Sequence, residues 1–291
     1  MVPALTSAGG QLVPLGDGWS SQVYRCLTAT AAPTGAVLKM AREIPGFTTA
    51  DDRRQLALAW QREVAALTAV RSVPGAARLL ASSPDSDNPP WLLLAEAPGE
   101  SAEKVVATCG PLAMPAVTAI AKSLASTLSA IHRAGWLHLD VNPRNVLISP
   151  GVVTLIDFGA AQAIGAPSLW DWPLGRHRFM APEHLGGRWE NPRYGRLGTP
   201  ADVHQLACLL LFLLTGREPL EPCREDEDYR HAYLDRLAAG ASRPGWAKAA
   251  EFFRESPAAD GIPLPAFAAA LEPVPERRFT LSQFIAALED R

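Results

Sequence analysis

Two neighbouring segments of the chain, HLDVNPRNVLI at residues 138–148 and TLIDFG at residues 154–159, decide how it folds. In each segment a polar loop abuts a short apolar run, which predicts a carboxylate at the edge of a strand. Asp140 can accept or orient a hydroxyl proton, and Asn145 and Asp157 offer the hard oxygen ligands that Mg²⁺ prefers. Capping aspartates in turns would explain each loop alone, but they explain the joint spacing poorly.

A lysine and a glutamate further upstream predict a buried ion pair. Lys39 ends an apolar strand at residues 36–39, where its ammonium can bridge the phosphates of a nucleotide. For an isolated case, a surface lysine at a strand end is the commoner alternative. Glu63 lies in the middle of a predicted helix on the face of Trp60 and Leu67, so it is expected to point into protein and to need a cationic partner. Lys39 is the natural candidate.

The segment LGDGWSSQV at residues 15–23 predicts a phosphate-binding loop between two strands. Gly16 and Gly18 would let backbone amides approach phosphate oxygens closely, and Leu15 and Val23 flank the turn. Ser21 stands where the pattern GxGxxGxV has its third glycine. A plain hairpin turn would explain the two glycines almost as well.

Composition and charge exclude several classes of protein. The chain has 291 residues, 48% of them hydrophobic, and a net charge of −3, which favours one large domain or two lobes and argues against global disorder. No block of Lys and Arg resembles a nucleic-acid or membrane-binding patch, so neither partner is expected. Four widely spaced cysteines without zinc-site spacing predict reduced thiols and a cytoplasmic location. The most apolar run, residues 206–214, is too short to span a bilayer, so a soluble protein is expected.

The order of the predicted elements indicates an α+β protein with two lobes. Strands are predicted over residues 11–15, 22–28, 36–40 and 91–95, with a helix from about residue 50. After the hinge at residues 98–99 the pattern is mainly helical, and the apolar run at residues 206–214 predicts a buried helix. We expect a small antiparallel β lobe with one main helix over residues 1–97 and a larger α lobe over residues 98–291, with a ligand in the cleft between them.

Taken in order, these motifs resemble those of the protein-kinase superfamily, in the manner of bacterial Ser/Thr kinases, over essentially the whole chain. The resemblance implies ATP and Mg²⁺ as cofactors and phosphoryl transfer to Ser or Thr hydroxyls of a protein or peptide. It implies these roles: Lys39 and Glu63 as the active-site ion pair, Asp140 as the catalytic base, Asn145 and Asp157 as metal ligands, Leu15, Gly16, Gly18, Ser21 and Val23 as the nucleotide loop, Glu96 as the start of the hinge and Ala95 as the gatekeeper before it.

Further matches lie downstream of the metal-binding turn. The segment Met180-Ala-Pro-Glu183 is similar to the end of the family's activation segment. Asp202 resembles the start of the buried helix that anchors the catalytic loop. The resemblance also implies that Glu183 pairs with Arg278 near the C-terminal end of the sequence.

The residues that would bind or carry a phosphate of the activation segment depart from the family pattern. Leu139 replaces the arginine that grips a phosphorylated activation segment in the family. Ser168 is the only hydroxyl residue between residues 157 and 183. Phosphorylation is therefore not expected to switch the protein on.

The catalytic loop departs from the pattern as well. Asn142 replaces the lysine that neutralises the transferring phosphoryl group, and Arg144 is expected to supply that charge instead, as an arginine at this position does in tyrosine kinases. A solvent-facing arginine is the alternative.

Three functions stay open on the sequence. The leading one is a protein kinase. A small-molecule kinase is kept open by Asn142 and by Arg176, which stands where Ser/Thr kinases usually carry a threonine. A pseudokinase is opposed by the complete set of catalytic residues. The acidic residues 218–228 would dock a basic substrate or form a solvated loop. The sequence identifies neither the acceptor nor the oligomeric state.

Overall fold

A computed structural model describes residues 10–18, 20–30, 33–42, 49–84, 89–166, 177–186, 190–191, 195–218, 262–272 and 274–290. Ser168 and Arg176 lie outside these described residues, as does the acidic stretch beyond Glu218.

The first part of the chain forms a five-stranded antiparallel sheet that includes the four predicted strands. The strand order is β1-β2-β3-β5-β4. The strands are β1 (Gln11–Asp17), β2 (Ser21–Leu27), β3 (Pro33–Ala41), β4 (Leu79–Ser82) and β5 (Trp91–Ala95). A small cluster around Cys26 and Leu38 fills one face of this sheet.

The helix α1 (Ala50–Ala69) connects β3 to β4 and starts where the sequence predicts. Trp60, Leu67 and Val70 are buried in the main core, while Gln61 and Ala65 are exposed. This spacing is the one-sided burial expected of an amphipathic helix. Glu63 lies on the buried side, so the helix carries a carboxylate into the protein.

The second part of the chain is mainly helical. Helix α3 (Met114–Arg133) buries Ile120, Leu124, Leu128 and Ile131 along one stripe, and residues 201–214 of α4 (Thr199–Thr215) are buried throughout. One apolar cluster runs from these helices into α1 and β5, so the two lobes share a core. The helices are α2 (Ala102–Cys109), α3 (Met114–Arg133), α4 (Thr199–Thr215), α5 (Leu264–Ala270) and α6 (Leu281–Glu289).

Within the described part of the chain, α3 is the one helix with the length and apolar composition that could cross a membrane. Its Leu124, Leu128 and Ile131 are completely buried in the core of the larger lobe. Packing against the neighbouring helices thus gives its apolar side chains a place inside the protein.

Short strands bring together the two loops that carry Asp140 and Asp157. Strands β6 (Glu100–Ser101), β8 (Val146–Ser149) and β9 (Val152–Leu155) form one small sheet, and β7 (Trp136–Leu137) pairs with β10 (Gln162–Ala163). The loop before β8 and the loop after β9 then lie side by side. A hydrogen bond of 2.8 Å from the Ile156 amide to the Asn145 carbonyl joins them. Two further strands, β11 (Glu190–Asn191) and β12 (Gly195–Arg196), form a hairpin before α4.

The loop between α1 and β4 docks the smaller lobe onto β9 through its backbone. The Leu155 amide donates to the Gly75 carbonyl at 2.7 Å, and the Ala77 amide donates to the Leu155 carbonyl at 2.9 Å. The Thr127 hydroxyl of α3 donates to the Pro74 carbonyl at 3.1 Å. Gly75 has a φ of +78°, and a Cβ added to it would lie 2.4 Å from the Thr127 hydroxyl oxygen. Only glycine fits this contact between the lobes.

Gly75→Ala should therefore destabilise the protein more than alanine at another glycine of the same φ. Gly165 has a φ of +79° and no atom within 4 Å of an added Cβ, so Gly165→Ala reports the backbone cost alone. That cost is about 1–3 kcal/mol, and overpacking against Thr127 should add about 1–3 kcal/mol at Gly75. Equilibrium denaturation of the two variants measures the difference. Equal losses would contradict the close approach.

Candidate active site

Lys39 is the point at which three elements of the fold meet. It lies near the end of β3, and its Nζ donates to Glu63 Oε1 of α1 at 2.7 Å and to Asp157 Oδ1 at 2.8 Å. The Trp60 ring lies near this ammonium, with its centroid 5.8 Å from Nζ. The predicted pair of Lys39 and Glu63 is therefore present. Strand, helix and metal-binding turn are held to one buried ammonium.

Burial and charge act against each other in this cluster. Burial disfavours the ammonium of Lys39, but the carboxylates of Asp157 and Glu63 outweigh it and raise the pKa of Lys39, which stays charged. Burial raises the pKa of Glu63, and Lys39 opposes that rise. For Asp157, the desolvation that would raise the pKa is overcome by Lys39 and by the Gly159 amide, so its pKa is lowered. The Asp157 side chain is 43% exposed, so this carboxylate is ionised and reachable from the cleft.

Asp140 lies in the loop between β7 and β8, and two asparagine amides hold its carboxylate. Asn145 Nδ2 donates to Oδ2 at 2.6 Å, and Asn142 Nδ2 donates to Oδ1 at 2.8 Å. The structure thus brings Asp140 and Asn145 together as the sequence predicts. The amide nitrogen of Asn145 is used by Asp140, which leaves its oxygen for another partner.

A fully buried carboxylate, Asp202 at the start of α4, holds the preceding part of this loop. Its two oxygens accept the amides of His138 at 3.0 Å and Leu139 at 2.8 Å, and Oδ2 also contacts His132 Nε2 at 2.7 Å. Desolvation would raise the pKa of Asp202, but the bond to His132 and the charges around it lower the pKa overall. Gln205, one turn along α4, binds the Leu139 carbonyl and the Val141 amide. The predicted anchoring role of this helix is present.

Leu139 has a backbone conformation that L residues rarely adopt, with a φ of 64°. Its side chain is buried in a small apolar cluster with Leu137, Ala181 and Ala201. Ala181 belongs to the Ala-Pro-Glu motif, so the end of the activation segment packs on this cluster. An apolar contact therefore occupies the position from which the family's arginine would reach a phosphate.

The predicted pair of Glu183 and Arg278 is present and has no solvent exposure. Arg278 Nη1 and Nη2 donate to the two carboxylate oxygens at 2.6 and 3.0 Å. Nε and Nη1 also donate to the carbonyls of Glu272 and Pro200, at 2.8 Å each. A bidentate pair with satisfied donors fixes the end of the activation segment to the C-terminal helices.

The predicted nucleotide loop closes the hairpin of β1 and β2. The Gly18 amide donates to the Ser21 carbonyl at 2.8 Å, and a Cβ on Gly18 would lie 2.9 Å from the Ser21 hydroxyl oxygen. Val23 pairs with Lys39 in register and so lies on the same face of the sheet. Gly16 and the exposed Leu15 lie at a register shift of β1. The roles of these five residues in binding a nucleotide stay predictions.

The structure corrects the expected gatekeeper. Leu92 pairs with Lys39 and Leu94 pairs with Val37, so the side chains of Leu92 and Leu94 lie on the cleft face of β5. Ala95 pairs with Ala36 and lies on the opposite face, because side chains alternate along a strand. The register therefore assigns the gatekeeper position to Leu94. The sequence argument placed the hinge one residue too late.

Glu96 makes contacts other than those expected for the first hinge residue. Its amide donates to the Gly35 carbonyl at 2.8 Å, and its carboxylate accepts from Arg25 Nε at 2.7 Å. The backbone amide of Glu96 is thus committed to β3. The carbonyl of Ala95, in the same peptide group, and the amide of Ala97 are the hinge groups that point in the opposite direction.

Arg144 is placed as the alternative interpretation describes. Its side chain is 67% exposed, and its Nε donates to Glu103 Oε2 at 2.9 Å and Oε1 at 3.2 Å. An exposed pair of this kind is worth about 0–1 kcal/mol. The guanidinium lies on α2 rather than on Asp140, so the arrangement gives no support to a role in neutralising the phosphoryl group.

Sequence reasoning missed two contributors to the site. His132 was not singled out, although it lies six residues before His138 and so close enough along the chain to reach the loop. Asn142 was treated only as a missing lysine. No pattern in the sequence shows that its amide would turn back onto Asp140.

Comparison with known proteins gives one consistent result. The profile of the protein kinase domain matches residues 11–286. The probable serine/threonine-protein kinase PkwA of Thermomonospora curvata is 30% identical over 209 residues, which cover 70% of this chain and 26% of that protein. The serine/threonine-protein kinase AfsK of Streptomyces coelicolor is 35% identical over 133 residues, 45% of this chain and 16% of that protein. PknL of Mycobacterium tuberculosis is 34% identical over 133 residues, 45% of this chain and 32% of that protein. This chain spans less than a third of the length of each.

Removing the ammonium of Lys39 should make stability depend on the ionisation of Glu63. In Lys39→Met the buried carboxylate has lost its cation, so the protein should be less stable by about 3–5 kcal/mol at neutral pH. The pKa of Glu63 in the folded state should rise further above its unfolded value. A raised carboxyl pKa gives stability that is present at low pH and lost as pH rises, so the deficit should shrink between pH ~7 and ~4.5.

Urea denaturation over this pH range measures the effect. The control is the double variant Lys39→Met/Glu63→Gln, which lacks the Glu63 carboxylate and should show a smaller recovery at low pH, since only Asp157 has then lost its cation. A deficit in Lys39→Met that is constant with pH would show that Glu63 is not held ionised by Lys39.

Proposed function

The chain belongs to the protein-kinase family, and on that premise we propose that it transfers the γ-phosphate of ATP, with Mg²⁺ as the metal ion, to Ser or Thr hydroxyls of a protein or peptide. One observation carries the proposal. The cation Lys39 contacts Asp157, the carboxylate Asp140 contacts Asn145, and a backbone hydrogen bond from Ile156 to Asn145 joins the two loops, so the cation, the carboxylate and the two oxygen donors meet where the lobes join. Phosphoryl transfer requires a cation, a proton acceptor and metal ligands of this kind, because positioning and charge neutralisation supply most of the rate enhancement.

The donor groups fit a hard divalent cation. Asp157 uses Oδ1 for Lys39 and the Gly159 amide, so its other carboxylate oxygen is the donor for a metal ion. Asn145 uses its amide nitrogen for Asp140, so its oxygen is the second donor. Carboxylate and amide oxygens are the ligands that Mg²⁺ prefers, and such an ion would neutralise charge on the phosphates of ATP.

The remaining residues divide the work of binding and orientation. Glu63 holds the ammonium of Lys39, which would contact the phosphate oxygens of ATP. Asp140, with its carboxylate fixed by two amides, would accept or orient the proton of the acceptor hydroxyl. For the adenine we propose Val23 and Leu94 as apolar contacts, with the backbone of Ala95 and Ala97 as hydrogen-bonding partners.

Two contacts favour a protein acceptor over a small molecule. The buried pair of Glu183 and Arg278 fixes the end of the activation segment, and Asp202 fixes the catalytic loop from α4. The aminoglycoside- and choline-type kinases that share the catalytic loop lack these elements. The curated relatives are named serine/threonine-protein kinases, which agrees with this choice.

Replacing the carboxylate of Asp140 tests the assignment of the base. Asp140→Asn should lower turnover by about 10²-fold or more, since the amide cannot accept the hydroxyl proton. Binding of Mg²⁺-ATP should be nearly unchanged, because Lys39, Asn145 and Asp157 are retained. Transfer of labelled phosphate to candidate proteins, followed by phosphoamino-acid analysis, measures the first effect, and binding of a fluorescent nucleotide measures the second. Near-normal turnover in the variant would reject the role of Asp140.

Activity should not require phosphorylation of the activation segment. Leu139 offers no charge to a phosphate and already packs on Ala181. Phosphatase-treated protein and the variant Ser168→Ala should therefore keep most of the turnover of the untreated protein. A strong loss in Ser168→Ala that Ser168→Asp restores would contradict this and would indicate a phosphate-binding cation elsewhere.

A further inference from the structure

Asn142 is a buried side chain whose three hydrogen bonds all stay inside the catalytic loop. It is 3% exposed. Its Nδ2 donates to Asp140 Oδ1 at 2.8 Å and to the Asp140 carbonyl at 3.1 Å. Its Oδ1 accepts from the Arg144 amide at 2.9 Å. An amide with donors and acceptor all engaged at these distances has one orientation.

Asn145 makes the matching contacts from the other side of the same carboxylate. Its Nδ2 donates to Asp140 Oδ2 at 2.6 Å and to the Asp140 carbonyl at 2.9 Å. Each carboxylate oxygen of Asp140 is therefore held by a different amide, and both amides also hold the carbonyl of the same residue. Two donors on opposite oxygens fix the rotation of the carboxylate, which one donor alone would leave free.

A proton acceptor must point at the acceptor hydroxyl to be effective, and small errors in such geometry are costly in rate. Asn145 is also the proposed metal ligand, so both Asp140 and the metal ion constrain its position. Asn142 has no such second task among the contacts described above. On this geometry, and resting on the proposed function, we propose that Asn142 is a positioning residue that orients the Asp140 carboxylate for the acceptor hydroxyl.

The proposal explains why a neutral residue occupies this position. A lysine ammonium could contact Asp140, but it has no acceptor atom for the Arg144 amide. An aspartate would keep the acceptor but lose the donors and place a second carboxylate beside the first. Among the common side chains, an amide of this length supplies two donors and one acceptor together.

Two variants of Asn142 separate orientation from simple packing. Asn142→Asp keeps the shape and the acceptor for the Arg144 amide but removes both donors to Asp140. Asn142→Ala removes every contact. If Asn142 orients Asp140, both should lower kcat by about 10- to 100-fold, with KM for ATP and nucleotide affinity within about twofold of the wild type. A role in packing alone predicts that Asn142→Asp keeps its turnover, which would overturn the proposal.

Thr127→Val is the matched control for the loss of a buried hydrogen bond. Thr127 is equally buried, at 3% exposure, and its hydroxyl binds the Pro74 carbonyl away from the catalytic loop. This variant should unfold at a lower temperature while kcat stays within about twofold of the wild type. If Thr127→Val lowered kcat as much as Asn142→Asp, general loosening would explain both, and the proposal would fall.

A double-mutant cycle with Asp140→Asn tests whether Asn142 acts through Asp140. Once the carboxylate is absent, Asn142→Ala should lower kcat by no more than about twofold further, since effects of residues that act as a unit are not additive. Losses that multiply would overturn the proposal.

Nucleotide-bound crystal structures of the wild type and Asn142→Asp give a readout without activity. The wild type should show one orientation of the Asp140 carboxylate and the variant a rotated or split one. An unchanged single orientation would overturn the inference. An inactive wild type with the expected rotation in the variant would instead reject the proposed function and leave the positioning role standing.

Discussion

The structure depends on one buried anion, the Asp202 carboxylate, more than on any other single group. It accepts two successive amides of the catalytic loop and one imidazole nitrogen, and it has no contact with solvent. Successive amides can point at one carboxylate only if the chain turns sharply between them, which accounts for the positive φ of Leu139. Such a conformation persists only where the surroundings determine it. Helix α4 therefore sets the starting direction of the segment that leads to Asp140.

The four carboxylates in and around the site differ in burial and charge, and the difference follows from their partners. Asp202 meets backbone amides and His132, so it serves the fold. Glu63 is buried, and Lys39 is its cationic partner within the described part of the chain, so its charge depends on that lysine. Asp157 shares the same lysine but stays partly open, which suits a group that binds a metal ion. Asp140 is held by neutral amides, which orient it without supplying a formal charge.

Much of this architecture could be predicted because it depends on local patterns in the sequence. Short apolar segments predicted the strands, with β5 at its observed bounds, and the helix predicted from about residue 50 is α1. The pairs of Lys39 with Glu63 and Glu183 with Arg278 followed from the resemblance to kinases. Register was not predictable: a shift of one residue moves a side chain to the other face, and this is why Leu94 rather than Ala95 faces the cleft. Side-chain direction was not predictable either, as Arg144 and Asn142 show, since both outcomes depend on tertiary neighbours.

The two departures of the catalytic loop from its family have a common physical consequence. Leu139 and Asn142 each replace a cation with a neutral side chain: Leu139 packs against apolar residues, and Asn142 donates to the Asp140 carboxylate and accepts from the Arg144 amide. Contacts made by neutral side chains depend less on salt than exposed ion pairs, which weaken as ionic strength rises. A cation at either position would also need an anion, from a phosphorylated segment or from substrate, to offset its burial. Because both positions are neutral, we expect the loop to become ordered through contacts within the chain. On the proposed function, no phosphate would then be needed to order it, and the charge that the transferring phosphoryl group requires would come from Lys39 and from the metal ion proposed at Asn145 and Asp157.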